Sequence, residues 1–255
     1  ALNPNFFKKN LLIIRDPTST HPRSELMKIM NIMKGVNAYF KELSSEEISK
    51  KAHRDFVGGL WDELGQLQLE FLIKSGLKPN HKLLDIGCGC LRGGLYYLKY
   101  LDAGNYFGLD INDSLIEAGK IEVDEAGLSH KRPNLIVDDA FLISKFSTKF
   151  DFMVSVSLFT HLPFNIIVRC LNRARENLLS HGIYYSTYFQ APTPSHLEPI
   201  RHEPGNIVTK YDSDPFHYSV DELDYMAKLA KLELNIIGDW RHPRNQKMAA
   251  FILPK

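Results

Sequence analysis

The segment Lys82-Leu-Leu-Asp-Ile-Gly-Cys-Gly-Cys-Leu-Arg-Gly-Gly94 holds the residue types that let a backbone wrap around a ligand. An apolar run ends in a glycine-rich turn, and the turn opens a helix. Glycines allow close approach, and a helix N-terminus offers unpaired N–H groups to an anion. Asp110 lies 23 residues after Gly87, at the end of the next apolar run. A carboxylate there can accept both hydroxyls of a ribose, or it can serve the helix that starts near Asp113 as an N-cap. Asp138 and Asp139 close a third run, and His161 follows a fourth. Histidine is the side chain whose ordinary pKa suits general-base work near neutrality.

Short apolar runs alternating with amphipathic helices must position these groups. Strands are expected at 82–87, 105–110, 134–138, 150–156 and 182–190, and helices at 92–101, 113–126, 164–179 and 219–231. The alternation predicts an α/β fold, a mostly parallel sheet with helices on both faces. Two further strands, 232–240 and 247–253, are linked by six residues, too few for a crossover helix, so they should form an antiparallel hairpin. Residues 1–80 read as a helical extension. Leu26, Met30, Met33, Val36 and Phe40 share one helix face, and half of the six methionines lie between 27 and 33, as in a core stripe. Ser44 with Glu47 forms a capping box, and Leu60, Leu64, Leu67 and Phe71 mark a helix ending near Gly76. Residues 191–217 carry five of the 13 prolines and three of the 10 histidines with little periodicity, which predicts an irregular, lid-like insert in a domain spanning 81–255.

Composition sets the outer bounds. The 255 residues are 44% hydrophobic and 24% charged, and 31 basic residues balance 30 acidic ones for a net charge of +1. That weighs against a nucleic-acid scaffold. No apolar run approaches the roughly 20 residues of a membrane span. Three cysteines, Cys88, Cys90 and Cys170, cannot build a disulfide framework and fit a reducing, cytoplasmic setting. Cys88 and Cys90 lack the neighbours a metal site requires, so none is expected.

The loop does not complete the dinucleotide fingerprint, because Arg92 stands where a third glycine would fall. Its D-x-G-x-G form, Asp85 to Gly89, resembles the cofactor loop of class I S-adenosylmethionine (SAM)-dependent methyltransferases, with Cys90 replacing a glycine common in that family. The resemblance spans residues 82 to 253, and the reversed last strand belongs to the same pattern. It implies a Rossmann-like seven-stranded sheet. Asp85, Gly87, Cys88 and Gly89 would hold the methionine end, Asp110 with Ile111 the ribose, and Asp139 with Ala140 the adenine; Asp138 competes for that last role. Ser157 would lie near the cofactor. Trp61 would either cover the methionine end or anchor the N-terminal helices to the sheet. The product would be S-adenosylhomocysteine (SAH).

Methyl transfer needs alignment, exclusion of water and often a base. His161 is the first candidate, with a local structural role as the other reading, and His217 the second. Tyr188, Tyr211, His242 and Arg244 are candidate acceptor contacts, since two arginines, a histidine and two amides crowd residues 240–246. The segments 84–94 and 157–162 also resemble bacterial enzymes found with surface-polysaccharide genes, which implies O-methylation of a small polar or glycan acceptor. RNA methylation, a non-catalytic SAM-binding module and an NAD-dependent oxidoreductase are the alternatives; Arg92 and the terminal hairpin disfavour the last.

Overall fold

The computed structural model describes Tyr39 and residues 41–255. The helix face from Leu26 to Phe40, with its methionine stripe, lies outside these residues. Residues 39–255 form one compact unit, so the helices between 45 and 74 share it with the sheet.

Chain order begins with α1 (Ser45–Ser49), α2 (Ala52–Phe56) and α3 (Trp61–Lys74). The Ser44–Glu47 capping box forms as the spacing predicts, with both reciprocal hydrogen bonds present. There follow β1 (Leu83–Ile86), α4 (Gly94–Tyr100), β2 (Tyr106–Asp110), α5 (Asp113–Glu125), β3 (Asn134–Val137), β4 (Phe150–Ser155), α6 (Phe164–Asn177) and β5 (Leu178–Tyr188). Then come β6 (Ile200–His202), β7 (Ile207–Thr209), α7 (Val220–Leu229), β8 (Glu233–Asp239) and β9 (Lys247–Ile252). The main sheet has the order β3-β2-β1-β4-β5-β9-β8. β1 through β5 pair in parallel, while β9 runs antiparallel to both β5 and β8. This is the mostly parallel sheet that the alternation predicts and the seven-stranded, Rossmann-like form that the resemblance implies.

β1 and β2 are buried at every position, as a central parallel sheet requires. One apolar core lies around α6, α7 and β9, including Phe150, Phe159, Tyr184 and Phe251; another lies around α3 and α4, including Leu72, Tyr97 and Trp240. The chain order reverses between β1 and β4, which opens a crevice beyond their carboxyl ends. Among the described residues no helix is long and apolar enough to cross a membrane.

Two expectations are corrected. β5 starts four residues before the expected 182, because α6 runs into it without a turn. The irregular insert is folded: β6 and β7 make a small antiparallel hairpin with its own buried polar interior of His202, Thr209 and His217. Strands of three residues are too short to show a period of two, and a polar interior reads as a polar loop.

The N-terminal helices are tied to α5 by one carboxylate. Buried Glu122 accepts from His53 Nε2 (2.7 Å), from Arg54 Nε (2.8 Å) and Nη2 (2.7 Å), and from Lys51 Nζ (3.2 Å). Burial opposes its charge, but the hydrogen bonds from Arg54, His53 and Lys51 outweigh that and hold the carboxyl down at about 2. A folded value below the ordinary ~4.3 stabilises the fold above that pH. The contribution drains away as pH falls through the folded value of about 2. Glu122→Gln should therefore lower the unfolding free energy at pH 7 by about 3 kcal/mol in urea titration. The variant should also lose less stability than the parent on acidification; equal urea midpoints at pH 7 would contradict the assignment.

Candidate active site

The glycine turn at the end of β1 is held open by its neighbour strand. Gly87 and Cys88 both donate to Leu109 O, at 2.7 and 3.1 Å. Gly87 sits at φ +74°, and a Cβ there would lie 3.0 Å from Leu158 Cδ1. Any side chain would thus fill the space between the turn and the exit of β4. Gly89 N–H donates to Asp110 Oδ2 (2.8 Å), and Asn112 N–H to Asp110 Oδ1 (2.9 Å). Burial raises the Asp110 carboxyl and these backbone bonds pull it back. Each carboxylate oxygen keeps a further lone pair for a ligand hydroxyl. Ile111, beside it, is partly exposed. Asp85 is buried beneath the turn, accepts from Tyr106 OH (3.1 Å) and is pushed up to about 7 by burial. Asp85 is a support of the loop and not a surface of it.

Cys88 and Cys90 are buried thiols, raised by burial, and Cys90 Sγ contacts His53 O at 3.5 Å. Among the described residues no group of three or more His, Cys, Asp or Glu is placed to hold a metal ion.

The two carboxylates after β3 divide by environment. Asp138 is buried and accepts from Ala140 N (2.9 Å), Leu142 N (2.8 Å) and Lys145 Nζ (2.7 Å). Asp139 is exposed and Ala140 partly so, beside the end of β2. Of the two carboxylates, Asp139 is the exposed one.

At the exit of β4, His161 Nδ1 donates to Asp214 Oδ1 at 2.5 Å. Asp214 belongs to the returning arm of the insert. Phe216 N–H donates to Thr160 O (2.7 Å) and Tyr218 OH to Leu162 O (2.5 Å), which fastens that arm to the turn carrying His161. Tyr39 packs edge-on against His161, with centroids 4.8 Å apart, and lies within electrostatic reach of Arg92, Asp214, Arg244 and Asp110. Sequence reasoning missed Asp214 and Tyr39, because each is distant in the chain and no motif surrounds it. Ser157, at φ +63°, joins a network instead of facing open space. Its N–H donates to Thr187 Oγ1 (2.7 Å), and Gln246 Nε2 donates to its Oγ (2.9 Å).

Three expected contributors sit elsewhere. His217 has no exposed surface, and both ring nitrogens are engaged, Nδ1 with Thr209 Oγ1 and Nε2 with His196 O, each at 2.8 Å. It is an internal support of the insert. Tyr188 is fully buried in the sheet core, because strand alternation puts it on the packed face of β5. Trp61 packs among the N-terminal helices, partly buried, with the Arg54 guanidinium 4.5 Å above its ring. Tyr211 is half exposed and lies near His196 on the insert.

The β8–β9 loop meets the N-terminal helices here. Arg244 donates to Gly58 O, while Arg92 Nη1 donates to Val57 O (3.0 Å) and Gly59 O (2.9 Å). His242 is buried, and Arg244 N–H donates to its Nδ1 at 3.1 Å. Burial, with Arg92 and Arg244 nearby, holds the His242 imidazole down at about 3.

Comparison with known proteins shows what this arrangement is similar to. Residues 84–184 match the methyltransferase domain family. A sterol 24-C-methyltransferase of Aspergillus fumigatus is 35% identical over 89 residues, 34% of this chain and 23% of the relative, so the match spans about a quarter of that protein. A SAM-dependent methyltransferase of Clostridium acetobutylicum superposes with a TM-score of 0.60 at 11% identity, covering 82% of this chain and 99% of its own. The magnesium protoporphyrin IX methyltransferase of Synechocystis with bound SAM superposes with a TM-score of 0.53 at 10% identity, over 85% and 88%. Residues 84–184, from the glycine loop past Asp110 and Asp139 to His161 and β5, match the methyltransferase domain family, and the chain has the fold of the SAM-dependent methyltransferases.

Proposed function

We propose that the chain methylates an oxygen of a small polar or glycan acceptor, using SAM as donor and His161 as general base. The observation that carries this reading is the 2.5 Å bond from His161 to Asp214. When bound, SAM supplies a methyl group on a sulfonium, an electrophile that needs no further activation. The residues fit it. The Gly87–Gly89 turn leaves no room for side chains against Leu158 and Val57, and Asp110 and Asp139 keep lone pairs for ribose hydroxyls and an adenine amino group.

With Nδ1 committed to Asp214, neutral His161 presents Nε2 as a proton acceptor. The acceptor hydroxyl gives its proton to Nε2 as its oxygen takes the methyl group. Asp214 fixes the ring and stabilises the cation that forms, as an orienting carboxylate does in other base dyads. Tyr39 covers one side of the imidazole, and the insert behind Asp214 limits water. The ionisable pair His161–Asp214 favours a polar acceptor over an apolar one such as the sterol of the Aspergillus relative's name. The glycan preference rests on the sequence resemblance of 84–94 and 157–162. RNA is the second reading, and the net charge of +1 weighs against it.

Asp110→Ala should weaken SAH binding in calorimetry by at least about tenfold, since a charged acceptor of hydrogen bonds is removed. An unchanged affinity would refute the cofactor placement. His161→Ala should cut turnover by roughly 10²–10⁴-fold and leave SAH affinity intact. The acceptor for that assay comes from labelled-methyl transfer onto a panel of glycans and nucleotide sugars. Near-normal turnover would remove His161 as the base.

A further inference from the structure

Arg92 and Arg244 come from different elements and converge on three consecutive carbonyls, those of Val57, Gly58 and Gly59. Among the described residues, no carboxylate forms an ion pair with either. Asp85, the buried carboxyl that senses Arg92, is bonded to Tyr106. Arg92 is 8% exposed and His242 4%, so little water reaches them. Two donors here have no partner at all, Arg92 Nε and His242 Nε2. The second is a donor by elimination. Arg244 N–H occupies Nδ1, so the neutral ring carries its hydrogen on Nε2.

Two guanidinium groups, Arg92 buried and Arg244 partly so, and an idle imidazole N–H thus meet with carbonyls but without a counter-charge. A buried charge without a counter-charge is costly, and orphaned buried donors add to the cost. The carbonyls of 57–59 offset part of it and leave the net charge in place. The group that satisfies all three is an oxyanion, for which an arginine fork is the fitting partner. Tyr39 sets its position, because its ring meets both His161 and Phe56, the residue before the Val57 carbonyl that Arg92 holds. The turn of the insert hairpin lies against the same loop. A Cβ on Gly205 would fall 2.8 Å from Arg244 Cα.

We infer that Arg92, Arg244 and His242 form an oxyanion site beside His161, and that the methyl acceptor carries a carboxylate or phosphate that docks there. This rests on the reading of the chain as a methyltransferase and narrows its substrate class. The anion would tether the acceptor at the β8–β9 loop, with the hydroxyl to be methylated reaching toward Nε2 of His161. The cofactor contacts proposed above lie at the ends of β1 to β3, next to the loop that carries Arg92.

The test uses the full chain and simple probes. Sodium phosphate, and separately sodium acetate, is titrated calorimetrically at constant ionic strength against protein saturated with SAH and against protein without it. Binding of one or both, in preference to chloride and undiminished by SAH, is expected. The probe that binds names the anion class. Arg244→Gln should weaken that binding by at least about tenfold and leave SAH affinity unchanged. Arg244→Lys should retain part of it, which separates loss of charge from loss of fold, and thermal melts of both variants accompany the titrations. No preference over chloride would overturn the site. Competition between the probe and SAH would also overturn it, because the cluster would then serve the cofactor's own carboxylate. If SAH itself fails to bind, the methyltransferase reading falls, and that outcome is read directly from the SAH titration.

Discussion

One carboxylate organises the ligand-facing end of this molecule. Asp110 takes the N–H of Gly89 on one oxygen and the N–H of Asn112 on the other. It thereby joins the glycine turn, the end of β2 and the start of α5, whose N-cap is Asn112. Without that double acceptance, the turn would be held to β2 through Leu109 O alone. Burial makes the charge expensive, and the two backbone bonds offset that cost. A ligand that replaces water on the remaining lone pairs meets an acceptor already fixed in place.

The other half of the site is built from long-range contacts. His161 is placed by β4, yet its partner Asp214 arrives 53 residues later through the insert. Arg92 leaves the glycine loop, and Arg244 leaves the last hairpin; they meet over a strip of backbone from the N-terminal helices. The switch in strand order allows these elements to share one crevice. Strand β9 contributes because it is reversed. The loop that enters it lies at the same edge as the loops that leave β1, β2 and β4.

Much of the fold was legible in the sequence, because alternation of strands and amphipathic helices is a local signal. The capping box at Ser44, the glycine turn and the short link before β9 could all be read within a few residues. The Asp139-Ala140 step favours Asp139 over Asp138 in the sequence, and the structure adds that Asp138 is bonded to Ala140, Leu142 and Lys145. His217 looked like an active histidine because exposure leaves no trace in residue type, and Tyr188 failed for the same reason. Asp214 was invisible because a dyad formed across 53 residues has no spacing rule.

The interior of the insert has a direction. His217 Nε2 faces the carbonyl of His196, so it must carry the hydrogen, and Nδ1 must accept. Thr209 therefore gives its hydroxyl hydrogen to His217 and receives one from His202 Nε2. The chain runs one way, from His202 through Thr209 and His217 to a backbone carbonyl. Adding a proton at Nδ1 of His217 would set two hydrogens head to head. Burial holds the neighbouring His202 imidazole down at about 4. A serine at 209 preserves this polarity, and a valine of similar shape does not.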